Sequence, residues 1–308
     1  MKKTGEKILE AFLRLLLALF AAMPLTVHYF NAAWIAFLME KVFRYRVDVV
    51  RDNLAHSFPR KDREQLEDIL HAFYRHLAHV IVEAIWFGGC RNVERLRRSR
   101  AVEIVNPEAV NSLYEKAPSV VLLLAHTGNW EMLSSILSCN FTGIPDYFTE
   151  ESCCVSYLKQ SSAIWDRIMR DNRLAPLNDR DAYDGYLESR SMVRYMYKHR
   201  DEKKFYNVIT DQRPYFSAPD FVRVNFMHRE TITMSAGAAV AHKFAMAVAY
   251  ERMRIKPGGR GYTMEYIPIC EDASLMSVED IMKKYYACLE EDLNAQPANY
   301  LWTHRRWA

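Results

Sequence analysis

The stretch SVVLLLAHTGNWE, residues 119–131, is almost purely hydrophobic over seven positions and then stops at a histidine. The run VVLLLA at 120–125 predicts a strand covered on both faces, as in a parallel sheet. Gly128 and Asn129 are turn residues. Asn129 is a suitable N-cap for a helix that begins near Trp130 and continues through EMLSSILS (131–138). A strand, a short turn and a helix in this order indicate an α/β fold.

The rest of the chain keeps this alternation. Strands are predicted at 205–210, 246–255 and 261–269, and the KPGGRG turn makes the last two antiparallel partners. Apolar residues at helical spacing predict the main helices, at 63–86, 235–244 and 277–295. We therefore expect an α/β fold, with a mixed sheet flanked by helices.

The front of the chain predicts a membrane-associated segment. Residues 15–39 contain no Asp, Glu, Lys or Arg over 25 positions, which exceeds the ~20 residues that cross a bilayer core. Pro24 interrupts this run, so two shorter helices lying in the membrane interface are an alternative to one span. A cleaved signal peptide is disfavoured because the apolar run is too long, and a buried core helix is the remaining alternative. The predicted organisation is a membrane-associated helix or helical hairpin over 1–45 and one globular domain over 46–308.

Bulk composition excludes several other classes of protein. The formal net charge of +3 is too small to favour nucleic-acid binding, so no nucleic-acid partner is expected. Six cysteines occur without a C-x-x-C spacing, which indicates neither a zinc site nor a secreted disulfide framework.

His126 is the first residue after the buried strand at 120–125, so it should stand at the carboxyl edge of the sheet, where α/β proteins bind ligands. The turn at 127–129 can bring Glu131 within reach of His126. An imidazole oriented by a carboxylate is a general base. The chain has no G-x-S-x-G motif, because Ser235 in TMSAG lacks the first glycine. The nucleophile is therefore expected to be a hydroxyl or amine of the substrate, with a hydrolase that uses Ser235 as the alternative.

These residues also resemble a known family. HTGNWE (126–131) is similar to the HxGNWE signature of the bacterial lipid A biosynthesis acyltransferases, the late lauroyl and myristoyl transferases of the H-x4-D/E (HxxxxE) glycerolipid acyltransferase superfamily. Four more segments resemble the family in the same order along the chain: YRVDVVRDNLAHSFP (45–59), ITDQRP (209–214), the segment 226–254, and NYLWTHRRW (299–307).

The resemblance implies an enzyme of lipopolysaccharide biosynthesis at the cell inner membrane, with its active site on the cytoplasmic face. It implies transfer of a fatty acyl chain from acyl carrier protein, or from acyl-CoA, to a hydroxyl of a lipid A precursor or related glycolipid, without metal or organic cofactor. His126 would deprotonate this hydroxyl and Glu131 would orient His126. The residues expected to bind substrate or shape the site are Gly128, Asn129, Trp130, Lys159, Asp211, Gln212, Arg254 and Arg305.

Two positions depart from the family pattern. Ser156 stands where the family carries an arginine thought to engage substrate, with Lys159 as the nearby cation. Met227 and His228 stand where a glycine is usual. The reaction class is unaffected, but the acceptor stays open between a lipid A precursor and another glycolipid or membrane pigment. A non-catalytic lipid-binding protein is the third alternative.

Overall fold

The computed structural model describes residues 2–214 and 221–307 of the chain. Five helices come first, and strands and helices then alternate along most of the remaining chain. The helices are α1 (Lys2–Ala22), α2 (Leu25–Phe37), α3 (Val47–Ser57), α4 (Arg63–Phe87), α5 (Val93–Ser99), α6 (Pro107–Lys116), α7 (Ala163–Arg173), α8 (Ser189–Lys198), α9 (Ala236–Lys243) and α10 (Val278–Ala295). The strands are β1 (Val102–Ile104), β2 (Val120–Leu124), β3 (Cys153–Tyr157), β4 (Tyr186–Glu188), β5 (Phe205–Ile209), β6 (Arg223–Phe226), β7 (Arg229–Ile232), β8 (Ala247–Ile255) and β9 (Tyr262–Cys270).

Seven of these strands form one mixed sheet, in the order β1-β9-β8-β2-β5-β3-β4. Strand β2 is parallel to both of its neighbours, β5 and β8, and all five of its residues are buried. Strands β8 and β9 pair antiparallel through the turn at 256–261. The prediction of a mixed sheet flanked by helices is confirmed, as is the antiparallel pair.

The strand at the centre of the sheet separates two apolar layers. Val121 and Leu123 pack on the side that carries α9 and α10, whereas Val120, Leu122 and Leu124 pack on the opposite side. A strand that buries both faces has to be apolar at every position, which explains the unbroken hydrophobic run.

The segment after the turn at 127–129 differs from the prediction. Residues Trp130–Leu137 form a 3₁₀ helix rather than an α-helix, with a kink at Met132 (φ −105°, ψ 18°). Side chains in a 3₁₀ helix advance by a third of a turn per residue, so the apolar side chains along this segment are spaced differently from those of an α-helix.

The N-terminal segment is a bent pair of helices. Helix α1 ends at Ala22 and α2 begins after Pro24, as expected from a proline that cannot continue a helix. Within residues 2–214 and 221–307, no single helix has both the length and the apolar character needed to cross a membrane. The pair Gly5–Ala22 and Leu25–Val42 meets these conditions together, with a bend of 114° between its halves.

Most of the large apolar side chains that the described residues expose belong to this pair and the segment just after it. They are Ile8, Leu9, Phe12, Leu15, Leu16, Leu19, Phe20, Val27, Phe30, Trp34, Phe37, Leu38, Val42, Phe43 and Tyr45. An apolar surface of this kind is typical of a membrane or protein contact.

A separate hairpin of β6 and β7 carries one of the departures from the family pattern. Its two turn residues, Met227 and His228, both have positive φ, at 49° and 65°. A two-residue turn with two positive φ values is the type that glycine and asparagine favour. The chain therefore keeps the backbone conformation that a glycine would adopt, although it carries other residues there.

Candidate active site

His126 and Asp211 lie side by side because β2 and β5 are parallel neighbours in register. Leu124 is paired with Ile209, and the backbone N–H of Thr210 donates to the Leu124 carbonyl at 3.0 Å. His126 lies two residues after Leu124, and Asp211 lies two residues after Ile209. The sheet register thus brings an imidazole and a carboxylate to the same point of the carboxyl edge.

The contact between them is a hydrogen bond of 2.7 Å from His126 Nδ1 to Asp211 Oδ1. The Asp211 side chain is 2% exposed and that of His126 is 15% exposed. Burial raises the pKa of Asp211, but the charge of His126 and hydrogen bonds from its side chain and backbone outweigh this effect, so the pKa is lowered overall. Asp211 therefore remains a carboxylate and keeps the imidazole proton on Nδ1.

The second nitrogen of His126 faces Gln212. The Gln212 side-chain amide lies 3.2 Å from His126 Nε2 and donates to it when the proton is on Nδ1. Nε2 is thus the nitrogen that accepts a hydrogen bond, and the Gln212 amide occupies this position. The Trp130 ring packs edge-on against the imidazole, with the ring centroids 5.2 Å apart.

Glu131 binds a different partner from the one we expected. Both of its oxygens accept hydrogen bonds from the Arg173 guanidinium, at 2.7 and 2.9 Å. Arg173 Nη1 also donates to the Tyr186 hydroxyl at 3.0 Å. Burial lowers the pKa of Arg173, but the Glu131 charge outweighs this and raises it overall. The expected orientation of His126 by Glu131 is not seen: Asp211 makes the carboxylate contact to His126, and Glu131 pairs with Arg173 at the end of α7.

The turn between His126 and Glu131 is fixed by hydrogen bonds from backbone N–H groups to asparagine side chains. The Gly128 N–H donates to Asn299 Oδ1 at 2.6 Å, and Gly128 has a φ of 58°. A Cβ at this position would lie 2.2 Å from Cγ of Met253, so any other residue would force the Met253 side chain to move. Asn129 caps the following helix, as expected, by accepting from the Glu131 N–H at 3.2 Å.

A cavity of about 280 Å³ opens beside these groups. His126, Gln212, Glu131 and Arg173 lie on its wall. Much of the remaining wall is apolar, with Leu133, Ile136, Leu137, Leu174 and Leu177 among its residues. Hydrophobic cavities with a few polar groups at one point are the usual form of small-molecule and lipid sites.

Other residues predicted to bind substrate lie elsewhere. Arg254 makes ion pairs with Asp292 and Glu291 at 2.8 and 3.2 Å, so its position is that of a structural arginine. Lys159 and Arg305 are exposed and are not among the cavity's lining residues. Ser156 is buried in β3 and does line the cavity. A cation at this cavity is supplied by Arg173, which also lines it.

Among residues 2–214 and 221–307, neither a metal site nor a serine nucleophile is assembled beside the cavity. In the parts of the chain that the structure describes, no three His, Cys, Asp or Glu side chains form a group suited to a metal ion. Ser235 precedes α9 and is not among the residues that line the cavity, and His126 is already engaged by Asp211 and Gln212.

The sequence analysis missed Arg173 and Asn299. Arg173 lies at the end of an amphipathic helix where a basic residue is unremarkable, so only the folded position identifies it. Asp211 was identified as a site residue, but not as the partner of His126. The signal was available, since both residues directly follow predicted strands.

The comparison with known protein families gives one match. The model of the bacterial lipid A biosynthesis acyltransferases matches residues 6–308. No curated protein matches the chain.

Proposed function

The chain belongs to the bacterial lipid A biosynthesis acyltransferase family, and on that premise we propose an O-acyltransferase in which His126 is the general base and Asp211 its orienting carboxylate. The donor is a fatty acyl thioester, with acyl carrier protein as its carrier. The acceptor is a hydroxyl of a lipid A precursor or related glycolipid. The observation that carries this proposal is the 2.7 Å contact between His126 and Asp211 beside an apolar cavity.

In this mechanism the acceptor hydroxyl displaces the Gln212 amide at Nε2 of His126. Nε2 takes the hydroxyl proton while the oxygen attacks the thioester carbonyl carbon. The tetrahedral intermediate then collapses as the C–S bond breaks, and the imidazolium returns the proton to the leaving thiolate. Asp211 keeps the imidazole in the productive tautomer and stabilises the imidazolium while it exists.

The acyl chain is assigned to the apolar part of the cavity. Leu133, Ile136, Leu174 and Leu177 supply walls of hydrocarbon beside the reacting carbon. Burial of a chain there is favourable by about 0.8 kcal/mol per methylene. The Glu131–Arg173 pair adds one fixed polar contact to the same wall, which suits it to hold the polar end of the donor.

Attachment to the inner membrane is assigned to the bent helix pair α1–α2. Phe30 and Trp34 are 71% and 62% exposed on α2, and Phe12 is 60% exposed on α1. A membrane interface would cover these side chains and place the cavity within reach of lipid substrates on the cytoplasmic side.

The proposal is tested by incubating detergent-solubilised protein with deuterium-labelled acyl thioesters of acyl carrier protein and a bacterial lipid extract, followed by mass spectrometry. We expect the label on a glycolipid hydroxyl. His126→Gln should lower the rate by about 10²–10⁴-fold, because a general base is removed while the shape is kept. His56→Gln, which changes a 58%-exposed histidine side chain, is the matched control and should leave the rate unchanged. Full activity of folded His126→Gln would refute the mechanism.

A further inference from the structure

Glu83 is a buried carboxylate at the centre of a network that the mechanism does not use. It lies in α4 and is 1% exposed. Its oxygens accept three hydrogen bonds, from the Tyr29 hydroxyl (2.9 Å), the Asn129 side chain (2.9 Å) and the Tyr262 hydroxyl (2.7 Å). Burial raises the pKa of Glu83, and these three bonds act against that rise.

One of these bonds determines how Asn129 faces the catalytic turn. The Asn129 amide nitrogen donates to Glu83 and, at 3.3 Å, to the Val80 carbonyl. An amide whose nitrogen is held on one side must present its oxygen on the other. That oxygen accepts from the Glu131 N–H and so fixes the start of the 3₁₀ helix. Glu83 thus sets the orientation of the cap three residues after His126.

A second bond joins the same carboxylate to the N-terminal helix pair. Tyr29 belongs to α2, and its hydroxyl reaches Glu83 across the interface between α2 and α4. This interface is built from small side chains, Ala32, Ala36 and Ala78, which allow the two helices to approach closely. Arg260 lies over the Tyr29 ring, 4.7 Å from its centroid, and restricts it further. The residue next to Tyr29, Phe30, is 71% exposed and apolar.

A carboxylate in this position is not explained by stability. Among the described residues no Lys, Arg or His forms an ion pair with Glu83, so only neutral donors compensate its burial. Buried ionic groups held in this way commonly contribute less to stability than apolar side chains of the same volume. The two acceptor oxygens of the carboxylate do hold three separate parts of the fold together: α2, the turn that contains Asn129, and β9.

We propose that Glu83 is a positioning residue that links α2, through Tyr29, to Asn129 and thereby holds the catalytic turn 126–131 in its active conformation. The effect on catalysis rests on the proposed acyl transfer, whereas the effect on the turn does not. Helix α2, with its apolar surface, and the catalytic turn are then connected by one series of hydrogen bonds, from Tyr29 through Glu83 to Asn129. Seating α2 against lipid would stabilise the turn that holds His126.

Hydrogen–deuterium exchange of the peptide that covers 126–132 tests this link without any substrate. Glu83→Leu removes all three contacts, and we expect exchange there to rise about tenfold or more, because Asn129 loses the hydrogen bond that holds its side chain. Tyr29→Phe removes only the link to α2 and should give an increase of at least about threefold. Glu83→Gln can still accept from Asn129 through its oxygen and donate to Tyr29, so its exchange should stay within about twofold of the wild type.

Tyr74→Phe is the matched control. It removes a hydroxyl from the same helix, α4, that donates to the Tyr45 carbonyl at 2.5 Å, and it touches no residue of the turn. Exchange of the 126–132 peptide should not change in this variant. Tyr29→Phe added to Glu83→Leu should have no further effect on exchange, because Glu83→Leu alone already removes the hydrogen bonds that connect Tyr29 to Asn129.

Unchanged exchange in Tyr29→Phe would overturn the proposal, even if Glu83→Leu fails to fold. Additive effects of the two substitutions would also overturn it. If the protein transfers acyl groups, kcat should be lower in the variants whose exchange is higher. KM should stay within about twofold of the wild type, since the turn and not substrate binding is altered. If the wild type transfers no acyl group, the proposed function fails, and the exchange data still decide the role of Glu83.

Discussion

At the scale of single residues, two carboxylates have partners other than the expected ones, since Glu131 was expected to orient His126 and Asp211 to shape the site. Asp211 contacts His126, and Glu131 contacts Arg173. The difference has a simple geometric origin. Residues that follow equivalent positions of two parallel neighbours must meet, whereas residues five apart across a turn meet only if the following helix points the right way.

Gly128 provides a direct test of the geometry of the turn. Gly128→Ala requires a Cβ 2.2 Å from Met253 Cγ at a φ of 58°, and we expect it to lower the free energy of unfolding by about 2–3 kcal/mol. In a Met253→Ala background the clash is smaller, so the same substitution should cost only about 1–2 kcal/mol. Urea denaturation of the four proteins measures both costs. An equal cost in the two backgrounds would contradict the account of this contact.

At the scale of elements, the turn of the β6–β7 hairpin holds non-glycine residues at positive φ, which is a strained backbone conformation. His228 is exposed and has a φ of 65°. His228→Gly should raise the free energy of unfolding by about 0.5–1 kcal/mol, because glycine adopts positive φ without a steric penalty. His228→Val should have the opposite sign, since β-branched residues are disfavoured there. Thermal unfolding of both variants checks the order; a destabilising His228→Gly would contradict it.

The elements that could be predicted were those with strong periodicity. The strand at 120–125, the antiparallel pair β8–β9 and helix α10 follow from apolar runs, a Gly-rich turn and helical spacing. Strands β1 and β4 have only three residues each, too few to show a period. The 3₁₀ form of Trp130–Leu137 was also beyond prediction, because its apolar positions fit an α-helix equally well.

The candidate site was predictable to a similar extent. His126, Asp211 and Gln212 follow buried strands, so their approach to one sheet edge follows from topology. The ion pair between Glu131 and Arg173 depends on where α7 packs. Such a position is decided by tertiary contacts that no local pattern encodes.

At the scale of the whole molecule, one buried group should make stability depend on pH. Glu251 in β8 is 1% exposed, and neither of its oxygens has a hydrogen-bond partner among the described residues. Burial raises the pKa of Glu251 from 4.5 to about 8. The folded protein therefore holds this proton at pH values where the unfolded chain has lost it. The stability associated with Glu251 is complete below pH 4.5 and declines as the pH rises toward 8.

Glu251→Gln removes this titration while keeping the shape. Between about pH 5 and pH 9 we expect the wild type to lose about 3–5 kcal/mol more unfolding free energy than the variant does. Denaturant melts at both pH values measure the difference. Equal pH slopes would show that Glu251 is ionised in the folded protein or reaches water.

The cavity and the sheet edge place an apolar pocket beside the His126–Asp211 pair, and the helix pair at the front of the chain adds an exposed apolar surface to this arrangement. The family match over residues 6–308 includes both the helix pair and the sheet domain. The central claim is that Asp211, and not Glu131, orients the catalytic histidine within this arrangement.

Acyl-transfer kinetics of Asp211→Asn and Glu131→Gln, with the fold of each variant verified, test this claim most directly. We expect Asp211→Asn to lower kcat by about 10²–10⁴-fold, because the amide favours the wrong tautomer of His126. Glu131→Gln should have a smaller effect on kcat and should lower stability by about 2–3 kcal/mol, since Arg173 loses its charged partner. The opposite result, a nearly normal kcat in Asp211→Asn and a collapsed kcat in folded Glu131→Gln, would contradict the account.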